Sequence, residues 1–388
     1  MAVSTKHKIS RMDRLYEDER GYDFIGRTKL WYGITAALIV AAVAAILIRG
    51  FSLSIDFEGG TTLSMPAGDL KEEEVGRVFE DSTGVEPEQV HIVGSGNSET
   101  LEIVSERLSQ EEVNAARTAI YEDFKPKDEE GKATPDAIGS STVSESWGSA
   151  ITQRMLIAML VFLVAATVYV AIRLQKNMAF AAIIALIADG VIIAGIYALF
   201  GFQVSPAVII GLLTVLTFSM YDSVIVFDKI NENTEGLEGQ RKKTFAELTN
   251  LAINQTVMRS ISTSVISALP IIALFVVAVW LMGIGTLRDL ALIQLIGVVE
   301  GIFSSIFFAT PLVVTFANMS KKTKRHNKRV ADYRAGKDEK GAAEDEAGRD
   351  HKEHLVHLVI VHLVIVHLVI TNNKVLKSAN FLKIRAYP

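Results

Sequence analysis

Three carboxylates stand inside long apolar runs of this chain, where a charged group is costly. Asp189 lies in "ALIADGVIIAG", Asp222 in "FSMYDSVIVFDKINEN" and Glu300 in "GVVEGIFSS". A carboxylate at mid-bilayer costs about 3 kcal/mol on insertion scales, so an acidic residue there is read first as functional. The bland alternative for each is a hydrogen bond between helices of a bundle. Arg259, in "NQTVMRSISTSVIS", is the candidate counter-charge. It lies about five residues before the fifth apolar run, and Asp222 about five residues before the end of the fourth. Counted from one face of the membrane their depths match, so an Asp–Arg pair is expected if those helices touch. A carboxylate held between a cation and apolar surroundings changes protonation when water or a neighbour moves, as a proton relay requires. The plain alternative is that Arg259 snorkels to the headgroups. Asp228, at the water boundary, reads as a solvated or capping group.

Other chemistries find no support. There is no G-x-S-x-G, Walker A or H-E-x-x-H pattern. "GSGNS" near Gly94 reads as a hairpin turn, since no strand, loop and helix with a lysine follows it. The chain has no cysteine, which excludes disulfides, thiolate metal sites and a cysteine nucleophile. No enzymatic activity, metal or organic cofactor is expected; protons are the coupling ion that buried carboxylates would serve. The net charge of -5 over 388 residues points to no nucleic-acid partner.

The elements that hold these residues are apolar blocks. A hydrocarbon core of about 30 Å needs about 20 helical residues. Six blocks qualify: Leu30–Ile48, Met155–Ile172, Met178–Phe200, Val204–Phe227, Ser264–Ile284 and Leu290–Ala317. The first begins too far from the start, and is too long, for a cleavable signal peptide. Lysines and arginines set the orientation. Lys6, Lys8, Arg11, Arg14, Arg20, Arg27 and Lys29 precede the first block. Arg173 and Lys176 join the second and third, and Lys229, Arg241, Lys242 and Lys243 lie between the fourth and fifth. "KKTKRHNKR" follows the sixth. Threading six spans puts all four segments on one side. Both termini are then cytoplasmic, and the acidic segment 50–150 is exported. The expected fold is a polytopic α-helical membrane protein with six transmembrane helices and one exported ferredoxin-like α/β domain between helices 1 and 2.

That gives residues 1–29 as a cytoplasmic segment, 30–49 as helix 1 and 50–150 as the exported domain. Residues 151–320 form helices 2–6 with a cytoplasmic loop at 228–258, and 321–388 form a cytoplasmic disordered tail. In the domain, "TTLSM", "QVHIVG", "TLEIVS" and "IGSSTVSES" read as strands. "DLKEEEVGRVFEDS" and "SQEEVNAARTAIYEDF" read as amphipathic helices, the second opened by a capping box of Ser109 and Glu112. The order suits a split βαβ sandwich. In the tail, His357, His362 and His367 recur every five residues in "HLVHLVIVHLVIVHLVI". On a helix they fall about 140° apart, and on a strand on opposite faces, so they do not converge on a metal. Within the spans, Gly297-x-x-x-Gly301 continued by Ser304 and Ser305 allows close helix packing. Ser219 and Ser223 flank Asp222, and Pro206, Pro270 and Pro311 stand where helices can bend.

Four motifs then resemble the SecF family of bacterial protein-export membrane subunits, relatives of the RND transporters, over about residues 25–320. "IDFEGGTT", with Asp56, Phe57, Gly59 and Gly60, is similar to that family's signature after the first span. "YDSVIVFDKINEN" resembles its fourth-span motif, "NQTVMRSISTS" its fifth and "GIFSSIFFATPLVV" its sixth. The resemblance implies an RND-like bundle and a proton relay of Asp222, Arg259 and Asp189. Ala188 replaces a histidine usual before the third-span aspartate, Tyr221 an asparagine, and Glu300 an apolar residue for which no role carries over. The resemblance further implies a bacterial inner-membrane location and SecD as partner. Preprotein movement through the SecYEG channel, with YidC and YajC as further associates and lipid around the spans, belongs to the same expectation. The alternatives are a passive scaffold or binding module of the export complex, or half of an RND-like small-molecule exporter.

Overall fold

The computed structural model describes residues 21–128, 131–282 and 284–335. The basic residues at positions 6–20 and the histidine repeat lie outside the described residues.

The first span, α1 (Thr28–Arg49), leads into β1 (Ser52–Leu53), the one-turn α2 (Ile55–Glu58) and β2 (Gly60–Pro66). Next come α3 (Glu72–Thr83), β3 (Gln89–Val93), β4 (Thr100–Ser105), α4 (Gln110–Phe124) and β5 (Gly139–Val143). The chain then returns through α5 (Glu145–Arg173) and α6 (Lys176–Phe200), and after β6 (Gln203–Val204) through α7 (Pro206–Asn233). Then α8 (Phe245–Val276) ends in a π turn at Val277–Met282. Last, α9 (Gly285–Phe303) passes through a second π turn, Ser304–Ala309, into α10 (Thr310–Met319), and α11 (Lys321–Arg334) follows. Six of these helical runs are long and apolar enough to cross a membrane. The chain is a multi-pass helical membrane protein.

Between the first two spans, four strands pair antiparallel in the order β3-β4-β2-β5. Side chains alternate across a strand, so Leu63 and Met65 share one face and meet Ile103 and Leu101 opposite. Phe79 of α3 and Ile120 of α4 close over that face. Ser109 and Glu112 form the reciprocal cap of α4. The backbone N–H of Ser109 holds the Glu112 carboxyl below the usual carboxylate range. On the other side of the ledger, partial burial, then the charges of Glu58 and Glu106, push Glu88 up.

Where this sheet meets the bundle, glycine is obligatory. Gly59 and Gly60 have φ of +83° and +141°, which L side chains rarely adopt. A Cβ on Gly60 would stand 2.6 Å from the Ser105 carbonyl oxygen. Gly148 of α5 lies so close to this loop that its Cβ would be 2.5 Å from the Phe57 carbonyl oxygen. β1 pairs with β6, tying the start of the domain to the turn between α6 and α7.

Small residues bring the spans together. A Cβ at Gly195 of α6 would lie 2.1 Å from that of Ala42 on α1. Along α7 and α9, one on Gly297 would be 2.3 Å from Val215 Cγ2, while one on Gly301 would keep 3.2 Å from Ser219 Cβ. Beside the π turn after α9, the Thr310 hydroxyl donates to the Ser305 carbonyl at 2.8 Å, and Pro311, one residue on, has no N–H to donate back along the helix.

Of the described residues, 234–245 and 318–335 form a separate compact part. In it, Thr323, His326 and Val330 form the buried side of α11. His326 Nε2 meets the Lys243 carbonyl at 3.0 Å, and Lys322 pairs with Glu238 at 3.1 Å.

Candidate functional site

All three apolar-run carboxyls face the interior of the bundle, on α6, α7 and α9. Asp189 is 1 % exposed and Glu300 8 % exposed, and Asp222 is partly buried. An ionised carboxylate in such a place is tolerable only with hydrogen-bond donors around it. Hydroxyls supply them. Ser219 of α7 donates to one oxygen of Asp189, and Ser304 of the π turn to the other. Ser305, the next residue of the same turn, donates to Asp222 Oδ2 at 2.5 Å. Ser260 of α8 is buried beside Asp222 but closes no well-aligned hydrogen bond. The Glu300 carboxyl lies against that of Asp189.

Asp222 also borders a cleft between α7, α8 and α9 with about 370 Å³ of empty space. Ser219, Thr263, Ser264 and Ser267 give it a polar lining, and Gly297 and Gly301 open its floor. The cleft offers water-sized room next to a titratable group, with polar partners for that water.

Arg259 does not meet Asp222. It is exposed, with no ion pair among the described residues. Its neighbour Ser260 is the residue beside Asp222, so helical phase decides the contact. Ser260, Ser264 and Ser267 are the inward stripe of α8, while Arg259 is in line with Thr263, one turn on, at the exposed edge of the cleft. Asp228 pairs with Arg173 at 2.8 Å, joining the ends of α7 and α5.

The sequence placed Ser304 and Ser305 in helix packing alone, and marked Glu300 as a costly intramembrane carboxylate to which the family resemblance carried no role. Their contacts show the serines as the donors that make two buried carboxyls tolerable. The available signal was the adjacency of two serines just before a proline in a span that already carried Glu300. A cluster at the other end of the bundle also went unread: Arg288 pairs with the buried Asp289 at 2.8 Å, and Tyr197 donates to the Asp289 carbonyl oxygen at 3.0 Å. There the domain touches the spans, with Ser98 donating to the Trp280 carbonyl oxygen at 2.9 Å. No group of residues suited to a metal occurs among the described residues.

Residues 124–319 match the family described as protein export membrane protein SecD/SecF, C-terminal, and residues 44–68 match the SecD/SecF GG motif. The protein translocase subunit SecF of Mycobacterium tuberculosis strain H37Rv is 49% identical over 321 residues, covering 83% of this chain and 73% of its own. That of Streptomyces coelicolor is 34% identical, with 86% of each chain covered. Among solved structures, the crystal structure of SecDF from Thermus thermophilus, described as a translocon-associated membrane protein, matches with a TM-score of 0.66 at 31% identity. The match covers 78% of this chain and 39% of that one, so the chain spans about two-fifths of the fused SecDF.

Proposed function

The chain belongs to the SecD/SecF family of protein-export membrane proteins, and from that premise we propose that it acts as a SecF subunit beside a SecD chain. In this reading it assists preproteins through the SecYEG channel from the bacterial inner membrane, with YidC and YajC as further associates. The work comes from the proton gradient, and Asp222 is the carboxyl that takes up and releases the proton. The order and pairing of the four strands support a ferredoxin-like domain, which the proposal places outside the cell, with both termini in the cytoplasm.

The observation that carries the proton reading is the placing of Asp222. It stands between a hydroxyl donor that stabilises its charged form, Ser305 at 2.5 Å, and a polar cleft through which water can reach it. Asp189, held by two serines, is the second acidic member of the relay. Arg259 completes it from the cleft edge, as the charge Asp222 meets when α8 turns about its axis. A unit charge moved through 100 mV yields about 2.3 kcal/mol, so a few protons suffice to bias a conformational equilibrium.

The test is export into inverted vesicles, with and without a proton gradient. Asp222→Asn keeps the shape and removes the titrating group. It should insert and copurify with SecD, yet lose the gradient-dependent stimulation. Asp222→Glu should keep part of it. A gradient response unchanged in Asp222→Asn would remove the relay and leave a passive scaffold.

A further inference from the structure

Two carboxyl groups in contact inside an apolar bundle raise a question of donors. Both oxygens of Glu300 are buried, and neither meets a hydrogen-bond donor. What they face is the Asp189 carboxyl, and a carboxylate only accepts. Two acceptors in contact repel unless a proton lies between them. Asp189 already receives one hydroxyl on each oxygen, from Ser219 and Ser304, which is the environment of a carboxylate. Glu300 receives none, which suits a neutral acid that donates.

Among the described residues, no lysine, arginine or histidine acts on either carboxyl. Of the elements packed on α6, neither α1 nor α5 brings an interior titratable group to the pair. α7 brings Asp222, one turn from Ser219. Tyr197 of α6 and Asp289 of α9 lie roughly 12 and 16 Å away along their own helices.

We propose that Asp189 and Glu300 form a second protonation site in the bundle, one proton shared between two carboxyls, with Glu300 as the protonated partner. The site neighbours Asp222, because Ser304 serves one and Ser305 the other from the same π turn. Residue Glu300 is thereby a proton-holding group. The proposal goes beyond the Asp222 reading and stands without it.

The experiment is infrared spectroscopy of the full chain in lipid vesicles at neutral pH, reading the carbonyl stretch of protonated carboxylic acids in light and heavy water. The native chain should show such a band, shifted by deuteration. Glu300→Gln, whose amide can still donate to Asp189, should remove it, whereas Asp222→Asn should leave it in place. Glu300→Met gives the same readout if the glutamine variant does not insert. A native spectrum without the band, or a band that survives both Glu300 substitutions made in an Asp222→Asn background, would overturn the proposal. Neither result depends on whether export responds to the gradient, so this idea and the Asp222 relay fail separately.

Discussion

Ser305 is the side chain whose removal separates a working carboxyl from a merely buried one. Its hydroxyl is fully buried and donates to Asp222, and a hydrogen bond to a charged group contributes about 1.5–3 kcal/mol. Ser305→Ala should therefore lower gradient-stimulated export about tenfold or more while leaving insertion and copurification with SecD intact. Asp228→Asn is the control: its pair with Arg173 is exposed on both sides, and such pairs contribute about 0–1 kcal/mol. Equal losses in the two variants would show that the assay reports bundle damage. The carboxyls themselves were legible because a charge amid apolar residues has few innocent explanations. The face of Arg259 was not. A step of one residue turns a helix by about 100°, so depth alone could not tell whether Arg259 or its neighbour Ser260 points inward.

Among the elements, the apolar blocks mark the bilayer but not the helices that cross it. The fifth block begins at Ser264, yet α8 begins at Phe245; the sixth begins at Leu290, yet α9 begins at Gly285. Polar turns extend the helices beyond the hydrocarbon, and hydropathy cannot see them. The π turns were likewise hidden, since Pro311 signals a break without specifying a wide turn in place of a kink. The glycine seam between α7 and α9 was readable as a spacing, and contact distances now rank its members. Gly297→Ala must displace Val215, 2.3 Å from the new Cβ, whereas Gly301→Ala meets Ser219 Cβ at 3.2 Å. Overpacking of this kind costs about 1–3 kcal/mol. Thermal unfolding in detergent should show a clear fall for Gly297→Ala and a smaller one for Gly301→Ala; the reverse order would mean that the seam is not packed as described.

At the scale of the whole molecule, contacts sort the helix ends into two faces before any orientation is assumed. Asn250 and Asn254 near the start of α8 bind the backbone just before α1, including the Phe24 N–H at 2.8 Å. Arg173 at the end of α5 pairs with Asp228 near the end of α7. At the opposite face Arg49 donates to the Leu199 carbonyl oxygen at 3.0 Å, and β1 pairs with β6. The first face also collects Arg27, Lys29, Arg173, Lys176 and Lys229, while the turn between α6 and α7 carries no charge at all. Lysine and arginine excess marks the cytoplasmic side of short loops, so the domain of β2 to β5, on the opposite face, is expected outside the cell. Reporters that work only after export should be active when fused after Asp128 and inactive after Lys243 or Lys328. Activity confined to Lys243 and Lys328 would invert the molecule and turn the acidic domain inward. The charge asymmetry could then not be what orients the chain, and the domain could not meet a preprotein emerging on the far side.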